Sequence, residues 1–178
     1  MLKILFHVSI IVLLSFSYTF AQSQSSIVAQ QQKAIVDSTN AVAFGIQSAQ
    51  LNKVVLREGD KWETKLQLSF LKSDALDKLP AKTWLVLTAF NETGAIIGMH
   101  YWCPSSIRES LKKSSDNSNV VFDVNSKLEG AYRYAIALNE PGPTDCPACV
   151  SLAEGACGKG NIQSVNCSAD GGCSFTCK

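Results

Sequence analysis

The chain has 178 residues, of which 46% are hydrophobic and 17% charged, with a formal net charge of +1. A balance this close to neutral supplies no basic stripe for nucleic acid and no field to steer the chain toward an acidic membrane or polymer. All seven cysteines lie at or beyond position 103, a crowding that in a secreted chain reads as disulfides.

Met1-Leu2-Lys3 opens the sequence, an apolar run from Ile4 to Leu14 follows, and Ser15 to Ala21 completes the segment. A positive start, a short apolar core, and Thr19 and Ala21 three and one before a cut describe a signal peptide over residues 1–21. The run is shorter than the ~20 residues a bilayer span needs, and no second such run occurs, so no membrane span is expected after cleavage. No apolar tail follows the last cysteine, which argues against a lipid anchor of the cleaved-tail type. Loss of Lys3 leaves the 15 acidic residues matched by as many basic ones. The expected location is secreted and extracellular.

Residues 22–40 are rich in Gln and Ser and read as a polar arm or a short helix, since Ile27, Val28, Ala34 and Ile35 sit near helical spacing. Residues 41–139 are apolar and patterned. Val42 to Ile46 and Val54 to Arg57 are plausible strands. From Lys61 to Phe70 the alternation is nearly perfect, with Trp62, Thr64, Leu66, Leu68 and Phe70 on one face. Between Thr83 and Phe90 both faces are apolar, which implies a strand covered on both sides. Asn91-Glu92-Thr93-Gly94 then makes a turn, and Ala95 to Trp102 returns as the partner strand.

Ser106 with Glu109 fits a capping box for a short helix ending near Lys113. Val120 to Val124 and Tyr132 to Leu138 alternate as two further strands. About seven strands over roughly 100 residues match an antiparallel β-sandwich. The segment Leu128-Glu129-Gly130-Ala131-Tyr132-Arg133-Tyr134 resembles the tyrosine corner of immunoglobulin-like and fibronectin-like sandwiches. That resemblance implies Tyr132 as the corner residue, its hydroxyl bonded back to nearby backbone. Tyr134 stands where true immunoglobulin domains carry their second core cysteine, so their inter-sheet disulfide is not expected.

Pro141-Gly142-Pro143 ends the regular pattern. Residues 140–178 then form a cysteine-rich tail containing Cys146, Cys149, Cys157, Cys167, Cys173 and Cys177. Few large apolar residues occur here, so the tail is expected to be ordered by cross-links. Six cysteines allow 15 pairings, which spacing alone does not resolve. Three bridges within the tail leave Cys103 as an unbridged thiol, or else Cys103 links the tail to the sandwich. Asn91 and Asn166 head two glycosylation sequons, consistent with a glycoprotein.

Cys146-Pro147-Ala148-Cys149 has the spacing of a redox pair, activated where a helix begins. It follows a β-domain and heads a cysteine cluster, and the expected βαβ context is missing. Structural zinc sites often pair two Cys-x2-Cys elements, and only one is present. His100 is the sole histidine after the leader, and no nucleophile elbow accompanies it. The acidic residues are scattered, and no glycine loop for phosphate lies between a strand and a helix. No enzyme activity, catalytic residue, metal or cofactor is therefore expected. Trp102, at a strand end beside Cys103-Pro104, is the aromatic most suited to exposed contact with a partner.

The expectation is a secreted, non-catalytic binding or structural protein whose partner is an extracellular protein or a cell-surface polysaccharide. Two alternatives stand beside it. The tail is an inhibitor or toxin-like module, or the Cys146–Cys149 pair serves a thiol-disulfide oxidoreductase.

Overall fold

The computed structural model describes residues 26–36, 41–58, 61–168 and 172–178. The leader expected at 1–21 lies outside them. Nine strands form a single sheet in the order β6-β3-β2-β1-β7-β4-β5-β9-β8. They are β1 (Ser26–Val36), β2 (Ala49–Glu58), β3 (Lys61–Leu71), β4 (Trp84–Phe90), β5 (Ile96–Trp102), β6 (Asn119–Val124), β7 (Arg133–Asn139), β8 (Ile162–Cys167) and β9 (Cys173–Cys177). Two helices accompany them, α1 (Pro104–Lys113) and α2 (Cys146–Cys157).

The sheet curls because β1 serves two neighbours. Residues 26–34 pair antiparallel with β2, while Ile35 and Val36 pair parallel with Ala135 and Ile136 of β7. The curl brings the inner faces of the two halves together in one core. Leu51, Leu66, Leu68, Phe70 and Phe122 from one half meet Leu85, Leu87, Trp102, Tyr134 and Ile136 from the other. The alternation read along β3, β4 and β7 is what sends these side chains to one side.

The opposite face of β4 and β5 is also covered. Trp84, Val86, Tyr101, Cys149, Ala153 and Phe175 form a second cluster beneath α2. This accounts for the two apolar faces of β4. Cys149 and Ala153, one turn apart on α2, supply its buried side. Asp145 caps the helix, its carboxylate accepting from Ala148 N–H at 2.8 Å.

The tail is part of the sheet rather than an appendage. β9 pairs with β5, and β8 pairs with β9. Disulfides join Cys146 to Cys167, Cys149 to Cys173 and Cys157 to Cys177, tying α2 to both tail strands. Burial therefore holds the tail as well as covalent ties, since Phe175 is 0% exposed. Two glycines permit the close approaches. A Cβ at Gly98 would lie 2.4 Å from Leu128 Cδ2 and 2.5 Å from the Phe175 carbonyl. A Cβ at Gly142 would lie 2.2 Å from the Trp84 ring.

Several expectations are corrected. Part of the polar arm or short helix at 22–40 is the strand β1, because Gln31, Gln32 and Lys33 find cross-strand partners on β2 while Ala34 enters the core. Val42–Phe44 is a 3-10 turn closed by Gly45 at φ 80°, not a strand. Helix α1 starts two residues before Ser106, with Cys103 at its cap and Pro104 in its first turn, so Ser106 and Glu109 form no capping box. An immunoglobulin order would place the fifth strand beside the second and the sixth beside the seventh. Here β3 lies beside β2 and β4 beside β7.

The corner tyrosine is Tyr134, not Tyr132. Tyr134 is 1% exposed and its hydroxyl donates to the Leu128 carbonyl at 2.6 Å, whereas Tyr132 is 65% exposed. Burial raises the Tyr134 phenol above its ordinary value of 10.0, the Glu129 carboxylate adds to this, and a backbone hydrogen bond at Ala131 opposes it. Burial also raises Tyr101. The folded state thus favours both neutral phenols. Their contribution is complete below the unfolded value and is lost as pH rises through the folded values. Tyr134→Phe is expected to cost about 1–2 kcal/mol in urea unfolding at neutral pH. It should also weaken the fall in stability above pH 10.0; an unchanged alkaline limb contradicts this assignment.

Candidate binding cleft

One end of the sheet is β6, which pairs with β3 along one side only. Its residues alternate exposed and buried, with Val120, Phe122 and Val124 inward. In an antiparallel edge strand every second residue directs both backbone groups away from the partner. Here those residues are Asn119, Val121 and Asp123, because two of their carbonyls are met from the open side. Ser114 Oγ shares its proton between the Asn119 carbonyl at 3.1 Å and the Ser110 carbonyl at 3.0 Å, and Trp102 Nε1 donates to the Asp123 carbonyl at 3.2 Å.

Helix α1 lies along that open side. Ile107 and Leu111, one turn apart, bury its inner stripe, and Lys112 and Lys113 occupy the last turn, where positive charge is favoured. Trp102 precedes the helix and Ser114 follows it, so the two hydrogen bonds pin it at both ends of β6. The pins leave the middle of the edge open. A cleft of about 550 Å³ remains between helix and strand, with Trp102 and Phe122 among its lining residues.

The helix side of the cleft contributes Ser106, Glu109, Ser110 and Lys113, and the sheet side Gln67, Asn119, Val121 and Asp123. Glu109 accepts from Lys113 Nζ at 2.7 Å, and Asp123 accepts from Gln67 Nε2 at 2.8 Å. Each carboxylate thus has a partner already. The lining offers hydroxyls, amides and the Val121 backbone, a mixture of donors and acceptors with little net charge. Its volume falls within the ordinary range of small-molecule sites.

The seam is fastened next to the cleft. His100 stacks on Trp102 with ring centroids 4.2 Å apart. Its Nδ1 accepts from Asn125 N–H at 3.1 Å, and Asn125 Nδ2 donates to Ser174 Oγ at 3.1 Å. His100 therefore joins β5 to the segment after β6, and its ring nitrogen is engaged with backbone.

Trp102 is 7% exposed, so the expectation of an exposed contact there is corrected; its indole N–H finds a carbonyl across the seam and its ring enters the core. Trp62 is the exposed indole instead, at 59%, near the end of a hairpin that outruns the core. Arg57 lies 5.8 Å over its ring, and Ile27 on β1 is 58% exposed.

Cys103 is buried outside the three bridges, with Sγ 2.9 Å from Ser105 Oγ and 3.2 Å from Ser106 Oγ. Cys146 and Cys149 are half-cystines of separate bridges, so they do not form the Cys-x2-Cys pair of the redox alternative. Asn91 lies in the β4–β5 turn, where its Oδ1 accepts from Thr93 N–H, Thr93 Oγ1 and Ala95 N–H. Asn166 is exposed on β8, beside bridged Cys167. Among the described residues no group of three metal-ligating side chains converges, and no helix is long and apolar enough to cross a membrane.

No family model, no curated protein and no solved structure matches this chain. The cleft is not visible along the chain because its parts lie on four separated elements, β3, β5, α1 and β6. The polar residues of α1 and the outer positions of β6 look like ordinary solvated faces until the curl sets them side by side.

Trp102→Phe keeps most of the ring and removes the donor to Asp123. It is expected to cost about 1 kcal/mol. Amide hydrogen exchange should accelerate across residues 119–125 and stay unchanged in β4; equal acceleration in both places contradicts a local seam.

Proposed function

We propose that this is a secreted, non-catalytic binding protein that holds an extracellular carbohydrate in the cleft between α1 and β6. The observation that carries the reading is the lining. Hydroxyl, amide and backbone groups of both hydrogen-bonding senses, with Asp123 and the Glu109–Lys113 pair, surround an open cleft of about 550 Å³. Sugars present hydroxyls that both donate and accept, and such a lining satisfies them without requiring charge. The carboxylates Glu109 and Asp123, each held by a neighbour, keep further lone pairs that can accept hydrogen bonds from sugar hydroxyls.

Export through the leader at residues 1–21 accords with the three disulfides, which persist in oxidising compartments. The immunoglobulin-like element of the reading is confined to the corner tyrosine and the facing sheet halves. A protein partner is the second reading, favoured by exposed Trp62 and Ile27 on the β1–β2–β3 arm.

The secreted full chain on a glycan microarray should retain specific sugars, and Ser110→Arg, which fills the cleft from a helix position, should abolish retention while leaving the melting temperature unchanged. Retention that survives Ser110→Arg but fails with Trp62→Ala moves the site to the arm. Asn91 is the preferred acceptor for a glycan because its turn is open, with Glu92, Thr93 and Gly94 exposed. Protein secreted by a eukaryotic host should lose mass on amidase deglycosylation in wild type and lose none in Asn91→Gln.

A further inference from the structure

The cleft does not end at β6. On the outer face of the sheet, register places Gln31 opposite Asn52, Asn52 opposite Gln67, and Gln67 opposite Asp123. Four consecutive strands thus carry one row of polar side chains that runs into the cleft at Asp123. Its side chains are tied to one another at Asp123 and to the neighbouring rung of Gln50 and Ser69 elsewhere. Gln31 Nε2 donates to Gln50 Oε1, Asn52 Nδ2 donates to Ser69 Oγ at 2.9 Å, and Gln67 Nε2 donates to Asp123 at 2.8 Å. Asn52 Oδ1 is enclosed without a hydrogen-bond partner. A buried acceptor left unmet is a cost to the fold.

We infer that this row is the extension of the binding site and that its ligand is a neutral polysaccharide chain lying across the strands. The inference rests on the carbohydrate reading of the cleft and adds the chain's length, direction and charge. Primary amides donate and accept from the same group, which suits hydroxyls, and the row's one charged member, Asp123, is negative and disfavours an acidic polymer. Neighbouring strands are about 4.8 Å apart, close to the length of one pyranose unit. A chain crossing β6, β3, β2 and β1 would therefore place roughly one sugar on each strand, about four in all. The row has a defined end. Beyond Gln31 the next strand, β7, pairs with β1 only at Ile35 and Val36, so no further strand continues the row.

Calorimetric titration of the full secreted chain with oligosaccharides of two to six glucose, N-acetylglucosamine or mannose units tests this. For the series that binds, affinity should rise about tenfold or more from two units to four, which is about 1.4 kcal/mol, and level off beyond. Gln31→Ala with Gln50→Ala, two exposed changes at the far end of the row, should flatten the rise while sparing the disaccharide. A wild-type affinity independent of length overturns the row and leaves the cleft reading standing, as does a rise that the double variant keeps. Tighter binding of an acidic series, such as oligogalacturonides, also overturns it. Absence of binding by every series removes the carbohydrate reading itself.

Discussion

The interaction on which the architecture depends is the fastening of β6 by side chains instead of by a ninth ladder of backbone bonds. A curled sheet that does not close leaves an edge, and an unprotected edge invites pairing with another chain. Here the edge is met by Trp102 Nε1 and Ser114 Oγ, each donating to an outward carbonyl, with the His100–Asn125–Ser174 connection beside them. These bonds hold α1 against the edge at its two ends and not along its length. The protected edge and the open cleft are two consequences of the same spacing.

The disulfides act on the other side of the molecule. They fix α2 over β5, β9 and β8, and that pressure from outside is what lets β4 and β5 be apolar on both faces. Gly98 marks how close the layers come, since it sits between Leu128 on the inner side and the β9 backbone. Because β5 carries His100 and Trp102, the rigidity given to it by the tail reaches the seam. The cysteine-rich segment therefore supports the cleft through β5, at a distance, without lining it.

Much of the fold was legible along the chain. Strands β3, β4 and β7 follow from alternation, and the doubly apolar β4 implied a cover on each face. What could not be read has physical reasons. The middle of β1 is Gln30 to Lys33, polar residues whose strand partners lie elsewhere in the chain, so the local pattern of the apolar residues around them favoured a helix. Trp102 and Trp62 exchange expected roles because exposure depends on where the core stops: β3 outruns its pairing with β6, which covers only Leu66–Leu71. Tyr132 and Tyr134 share a face in any strand, and only the turn preceding β7 decides which hydroxyl reaches Leu128. For the tail, short β9 gives too brief a pattern to reveal that Phe175 lies under a helix.

The core and the proposed binding row come from a single register. A strand that sends Leu66, Leu68 and Phe70 inward must send Lys65, Gln67 and Ser69 outward. Sliding β3 by one residue against its neighbours would expose the core and scatter the amides together. The row therefore needs no separate folding energy to be held straight, because the apolar side chains on the reverse face already fix every strand beneath it. A surface positioned in this way is pre-organised, and pre-organisation lowers the entropy cost of binding an extended, flexible chain. That is the physical reason to expect function on a sheet face whose side chains, taken one at a time, are unexceptional.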